Sequence, residues 1–297
     1  MTKSSSLGRY LGAHFSSFKP TKADYNSLLQ KNISRINLWH ANFLSKAGRT
    51  VLIQSNLEAL PAFVCSSFLL LQKTCLNLDS IHRNFFWKQS PTSTHTPLIS
   101  WNKICQPKSM GGLGLHKTRP LNQAFLAKLG WKILQNDQSL WVSLIRKKYL
   151  TNTTFFEYNP KPKDSSIWKH ILNQREILHK GIRWKIENGK SINFWLDNWV
   201  IQDNLLNHLN LNISNVNTNL LVSDFILPNH DWDRTKLAGT VPPTLALKIQ
   251  GLPIPTTSLD DTPVWGATSS GEFSVKSATW LAHGLAPNPQ KWDHIWI

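Results

Sequence analysis

Cations spaced by one helical turn are the side chains here with the clearest chemistry. Lys31 and Arg35, Lys46 and Arg49, and Lys128 and Lys132 lie within a turn of one another, so a helix presents each pair on one face. Such pairs neutralise phosphate oxygens without reading base sequence. Other groups fall short of a catalytic set. Asp260-Asp261, between Leu259 and Thr262-Pro263, reads as solvated loop charge. Asp231-Trp232-Asp233 could grip a cation, yet no further ligands follow at calcium spacing. Asp197, between Trp195 and Trp199, reads as a turn residue bonding its own backbone. Cys65, Cys75 and Cys105 contain no Cys-x-x-Cys and are odd in number. That argues against a disulfide framework and for a reducing, intracellular compartment, nuclear or cytoplasmic. The 11 His include no His-Glu-x-x-His; His82 and His116 read as ordinary surface or core side chains. Gly111-Gly112-Leu113-Gly114 has neither spacing of the phosphate-cradling loops, so a turn of positive φ ahead of the next helix is expected. No catalytic residue, metal site or cofactor is expected.

The charge balance points the same way as the paired cations. The chain of 297 residues carries 33 Lys and Arg against 17 Asp and Glu, a net +16. Residues 1–150 hold 20 of the basic side chains and four acids, Asp24, Glu58, Asp79 and Asp137, so the whole excess lies there. A field of that sign attracts polyanions; the alternative is a basic surface kept for solubility. An apolar fraction of 41% suits a packed core. The longest apolar stretch, 62–71, is too short to span a bilayer, and no membrane partner is expected. The 14 Trp imply several local clusters or base-stacking surfaces.

The elements that must carry these residues are mainly helices. A 3.6-residue period through Tyr25, Leu28, Leu29, Ile33, Ile36, Trp39 and Phe43 predicts a helix over 21–44. A second runs from an N-cap at Ser45 to Leu60, ahead of Pro61. Between them Trp39, Phe43, Leu52 and Ile53 would be buried, with Lys46 and Arg49 outside. A third helix over 74–88 turns Leu78, Ile81 and Phe85 inward, and 89–97 is a polar loop. Pro120 suits the first turn of a helix reaching Gln135. Asp137 caps another in which Leu140, Leu144 and Ile145 pack and Arg146-Lys147-Lys148 complement the helix dipole. Residues 151–163 read as a linker, and a helix follows from Asp164 or Ser165 to Gly181. Alternation about Asn188-Gly189 predicts a hairpin over 182–195 with a type I′ turn. Residues 201–262 read as loosely structured, with one helix near 240–250. A second hairpin is expected across 264–267 and 271–274, with Ser274 capping a last helix. Leu7 to Gly12 reads as a strand or turn without a local partner. The expected fold is therefore mainly α: a helical bundle, then a smaller α+β part with short hairpins.

Several motifs in order carry a resemblance. Tyr10-Leu11-Gly12, Trp39, Leu44-Ser45-x-Ala47-Gly48-Arg49, Phe85-Phe86-Trp87, Trp101-x-x-Ile104-Cys105-x-Pro107-Lys108, Gly111-Gly112-Leu113-Gly114 and Trp131 come first. Phe194-Trp195-x-Asp197-x-Trp199 and Gly271-Glu272-Phe273-Ser274 continue them. Together they resemble the C-terminal half of plant LINE-type (non-LTR) retrotransposon reverse transcriptases. The resemblance implies a palm or primer-grip remnant in 1–20, with Tyr10 and Gly12 at the nucleic acid. It implies a basic thumb-like domain in 21–150, and a connector with the start of a zinc-binding domain in 151–297. RNA or an RNA–DNA hybrid would be held at its phosphates by Lys31, Arg35, Lys46, Arg49, Lys128 and Lys132, with a palm-containing polypeptide in trans. The palm carboxylates that hold two metals and the zinc ligands have no counterpart here. A ribonuclease H site needs several separated carboxylates on a mixed sheet, and the basic half holds four acids in all. The chain alone is therefore expected not to be an enzyme; the alternatives are a protein-interaction module and a degenerate product.

Overall fold

A helix without a polar side organises the chain. In the computed structural model, which describes residues 6–10, 13–16, 25–39, 43–87, 97–201, 203–255 and 259–285, that helix is α6 (Thr118–Leu134). It buries Leu121, Ala124, Leu126, Ala127, Trp131 and Ile133, residues that point in several directions, as in a helix packed over most of its surface, with Lys128 exposed. Gly130 lets α9 come close: a Cβ there would lie 2.6 Å from Leu178. Before α6 come α1 (Asn26–Asn37), α2 (Lys46–Leu52), α3 (Ala62–Ser67), α4 (Gln72–Trp87) and α5 (Trp101–Ile104). After it come α7 (Leu140–Tyr149), α8 (Ser166–Leu172), α9 (Arg175–Gly181), α10 (Leu205–His208), α11 (Arg234–Thr240), α12 (Pro243–Gln250) and α13 (Val275–Ala282). The mainly α expectation holds. α3, α4, α8, α9 and α13 all pack on α6.

Strands are few among the described residues. β1 (Ser6–Tyr10) pairs antiparallel with β2 (Ala13–Ser16), so the opening strand does have a local partner, contrary to expectation. Gly12 and the Tyr10 side chain lie outside the described residues, as does the polar loop over 89–96.

β3 (Ile182–Lys185) and β4 (Thr262–Trp265) form the other ribbon, with Ile182 opposite Trp265 and Lys185 opposite Thr262. The hairpin expected over 182–195 is therefore replaced by a pairing far along the chain. Gly189 does take positive φ, +68°, but its loop closes onto a carboxylate. Asp261, 7% exposed, accepts the backbone N–H of Glu187 at 2.8 Å, Gly189 at 2.9 Å and Ser191 at 2.9 Å. Successive N–H groups converging on an anion form a concave nest. This corrects the solvated reading of Asp261; its neighbour Asp260 bonds the Asn188 side-chain amide at 3.2 Å.

Two stretches expected to be loose are packed. Phe155 and Tyr158, in the predicted linker, are buried around Trp168, and Tyr149 stacks on the same indole at 5.0 Å. Large aromatic rings gain enough on burial to order a polar segment. The core they join takes residues from α6 and α7 as well as from α13, on both sides of residue 150. Residues 201–262 likewise help enclose a second core, where Phe194 stacks on Phe225 at 4.0 Å and Trp199 and Trp232 lie 6.0 Å apart. Both indoles donate to main-chain carbonyls, of Phe194 and Leu252, at 2.9 Å. The predicted helices otherwise shorten or split. The first ends at Asn37. The second passes through a π-helical turn at Ile53–Leu57 before α3 begins after Pro61. The helix from Ser165 breaks between α8 and α9. Phe43, expected inside, is 89% exposed, and Leu140 and Leu144 also face solvent.

Asp261→Ala strands two buried N–H donors and one part-buried one, and is expected to cost about 3 kcal/mol. The midpoint of urea unfolding measures it, with Asp261→Asn, which keeps an acceptor oxygen, losing less.

Candidate functional site

The predicted phosphate contacts divide into two groups. Lys31 and Arg35 on α1 and Lys128 on α6 are exposed. Lys132 is half-buried and pairs with Asp137 at 3.4 Å; Asp137 also accepts the Ser139 N–H at 2.9 Å, and these bonds hold its carboxyl below the usual range.

Lys46 and Arg49 are engaged within the molecule instead, Arg49 buried and Lys46 at the surface. Arg49 is 2% exposed and donates to the carbonyls of Phe85 at 3.1 Å, Phe86 at 3.2 Å and Leu44 at 3.3 Å. The Lys46 Nζ donates to the carbonyls of Phe86 at 2.7 Å and Trp87 at 3.3 Å, and lies 4.9 Å from the Trp87 ring. α4 ends at these residues. Its last carbonyls lack helical partners and carry the negative end of the helix dipole, and no basic residue stands in its own last turn. Two cations from α2 supply what α4 lacks, and the expectation that Arg49 stands outside is corrected. Burial lowers the pKa of both groups, with Arg49 adding to the effect on Lys46. Ser45 caps α2 as expected, accepting the Gly48 N–H at 3.2 Å.

A cleft of about 400 Å³ opens where α6 begins. α4 contributes Asp79 and Arg83, α5 contributes Trp101, the start of α6 contributes Lys117 and Arg119, and the end of α13 contributes His283. Asp79 holds the N-terminus of α6: its Oδ1 accepts the Thr118 N–H at 2.9 Å and the Thr118 hydroxyl at 2.7 Å. Burial raises its pKa, against the pull of the Thr118 bonds and Lys117. Arg119 donates to the Leu70 carbonyl at 2.7 Å and Arg83 to the Ser80 hydroxyl at 3.3 Å. None of the three cations is in an ion pair among the described residues. Both ring nitrogens of His283 are buried without a hydrogen-bond partner there, and burial lowers its pKa.

Beside the cleft the Glu58 carboxylate accepts the His116 N–H at 2.8 Å and meets its Nδ1 at 2.8 Å, while the ring lies against Trp280 of α13 at 4.8 Å. His82 is buried against Asn32 at 3.3 Å, and desolvation pushes its pKa down to about 4. The three thiols are buried, and burial raises their pKa values, that of Cys75 to about 11. Gly111 and Gly114 take φ of +80° and +72°, the turn expected of the glycine cluster. Trp101 is a core side chain and Trp39 packs on Phe85 at 5.4 Å. Among the described residues no three His, Cys, Asp or Glu side chains are grouped to hold a metal. Nor is any helix there long and apolar enough to cross a membrane.

Fold and site define a mainly α protein with an open, cation-lined cleft at the start of its central helix. The chain belongs to the family of the "Uncharacterized mitochondrial protein AtMg00310" of Arabidopsis thaliana, to which it is 31% identical over 153 residues, 51% of this chain and 99% of that protein. It is also 30% identical over 263 residues to the Arabidopsis thaliana "Putative ribonuclease H protein At1g65750". That match takes in 86% of this chain, which spans 42% of that relative's length. No family model matches. The expectation that the chain is not an enzyme is corrected by the At1g65750 name, which points toward nuclease chemistry in a protein alike over most of this chain.

Arg49→Met removes donors to three carbonyls, two of them in buried bonds, and is expected to lower stability by about 2–4 kcal/mol. Thermal unfolding reads the loss, and Lys46→Met, whose position is exposed, loses less.

Proposed function

We propose that this chain is the nucleic-acid-holding part of a retroelement-type protein. It grips the phosphates of RNA or an RNA–DNA hybrid through the exposed cations Lys31 and Arg35 on α1 and Lys128 on α6, with the half-buried Lys132 beside them, largely without reading sequence. The observation that carries this reading is uncompensated charge. The first 150 residues hold 20 Lys and Arg against four acids, and Lys132–Asp137 is the one Lys or Arg ion pair among their described residues. Surface charge so little neutralised within the molecule favours a polyanionic partner. The name of the At1g65750 protein supports a nucleic-acid substrate. The resemblance to reverse-transcriptase thumb and connector segments supports the hybrid in particular, with the palm on other polypeptide. The same name favours a second reading, cleavage of the RNA strand of a hybrid.

Fluorescence anisotropy with a labelled RNA–DNA hybrid tests the first reading. Four phosphate contacts give a salt slope of about −3.6, so affinity is expected to fall about 150-fold between about 50 and 200 mM salt. Lys31→Gln with Arg35→Gln should flatten that slope by about two. Binding indifferent to salt overturns the reading. Gel analysis of the same hybrid after incubation with Mg²⁺ tests the second: shortened RNA supports it, and intact RNA rejects it.

A further inference from the structure

We propose that the cleft at the start of α6 seats a terminal phosphate, the phosphomonoester of a nucleotide-sized ligand, and that the end of a nucleic-acid strand supplies it. Arg83, Lys117 and Arg119 line one cavity with no ion pair among the described residues. The one carboxylate lining it, Asp79, is engaged by the Thr118 N–H and hydroxyl, so it does not neutralise them by direct contact. His283, at the end of α13, closes one side of the cavity. A volume of about 400 Å³ lies within the usual range for small-ligand sites and exceeds what a bare anion needs.

Charge and connectivity select the terminal group. A phosphomonoester carries nearly two negative charges and three acceptor oxygens, which suits three cations, two of them guanidinium forks. A phosphodiester within a strand carries one charge, and its chain must leave in both directions. A strand end leaves in one. The inference rests on the nucleic-acid reading only for the source of the phosphate; the chemistry of the cleft stands apart from it.

The test compares oligonucleotides of one sequence ending in a 5′-phosphate or a 5′-hydroxyl, with a 5′-nucleoside monophosphate as the free source, all against the full chain. The 5′-phosphorylated strand is expected to bind about tenfold more tightly than the 5′-hydroxyl strand. Arg83→Gln with Lys117→Gln should abolish that difference. Lys128→Gln, outside the cleft, should weaken both strands equally and preserve it. Equal affinity of the two strands overturns the strand-end proposal and leaves the nucleic-acid reading intact. If neither strand binds but the monophosphate does, and the double variant loses it, the cleft chemistry is upheld with a free nucleotide as its source and the nucleic-acid reading falls. If the monophosphate also fails to bind, the cleft proposal is overturned outright. Circular dichroism of the double variant, with Arg83 exposed and Lys117 half-buried, checks that it remains folded.

Discussion

The burial of α6 over most of its surface is the constraint on which the rest depends. A helix of 17 residues with apolar side chains in several directions cannot face water. Its neighbours must therefore come from along the chain, and they do: α3 and α4 before it, α8, α9 and α13 after it. The cleft follows from the same requirement. The first turn of α6 emerges from the core with its N–H groups unsatisfied by the helix itself, and Asp79 from α4 meets one of them. Lys117 and Arg119 sit at that emergence, where α4, α5 and the end of α13 converge.

Electrostatics is spent in two ways in the basic half. Lys46 and Arg49 are committed to the carbonyls that end α4, while Lys31, Arg35 and Lys128 remain at the surface. Spacing does not distinguish these fates. Each pair lies a turn apart, but the face a pair occupies is decided by what packs across from it. For Arg49 that is the C-terminal end of α4, nearly forty residues later.

Much of the fold was legible in local pattern. Ser45, Ser165 and Ser274 each cap the helix that follows them, because a cap is a contact over three residues. The mainly α class followed from period alone. What could not be read was long-range pairing. Asn188-Gly189 carries the local mark of a hairpin, and Gly189 does adopt positive φ, yet the anchoring carboxylate is Asp261 and the partner strand is β4. The cleft was illegible for the same reason: Arg83, Lys117 and His283 share no local pattern and meet only when α13 docks on α6. The proline-bearing segment before α8 looked like a tether because its polar residues outnumber Phe155 and Tyr158, which the Trp168 side chain holds in place.

The β3–β4 ribbon has a consequence for the order in which the molecule is made. Its strands are separated by about eighty residues, and the second core, with Phe225 and Trp232, is enclosed between them. On a growing chain β3 leaves the ribosome with its edge open and must wait for β4, several seconds at ordinary rates of synthesis. During that interval the exposed edge and the unclosed Asn-Gly loop offer bare backbone to neighbours. The arrival of Asp261 satisfies the loop's three N–H groups just before β4 pairs with the strand, so loop and strand are closed by one short segment.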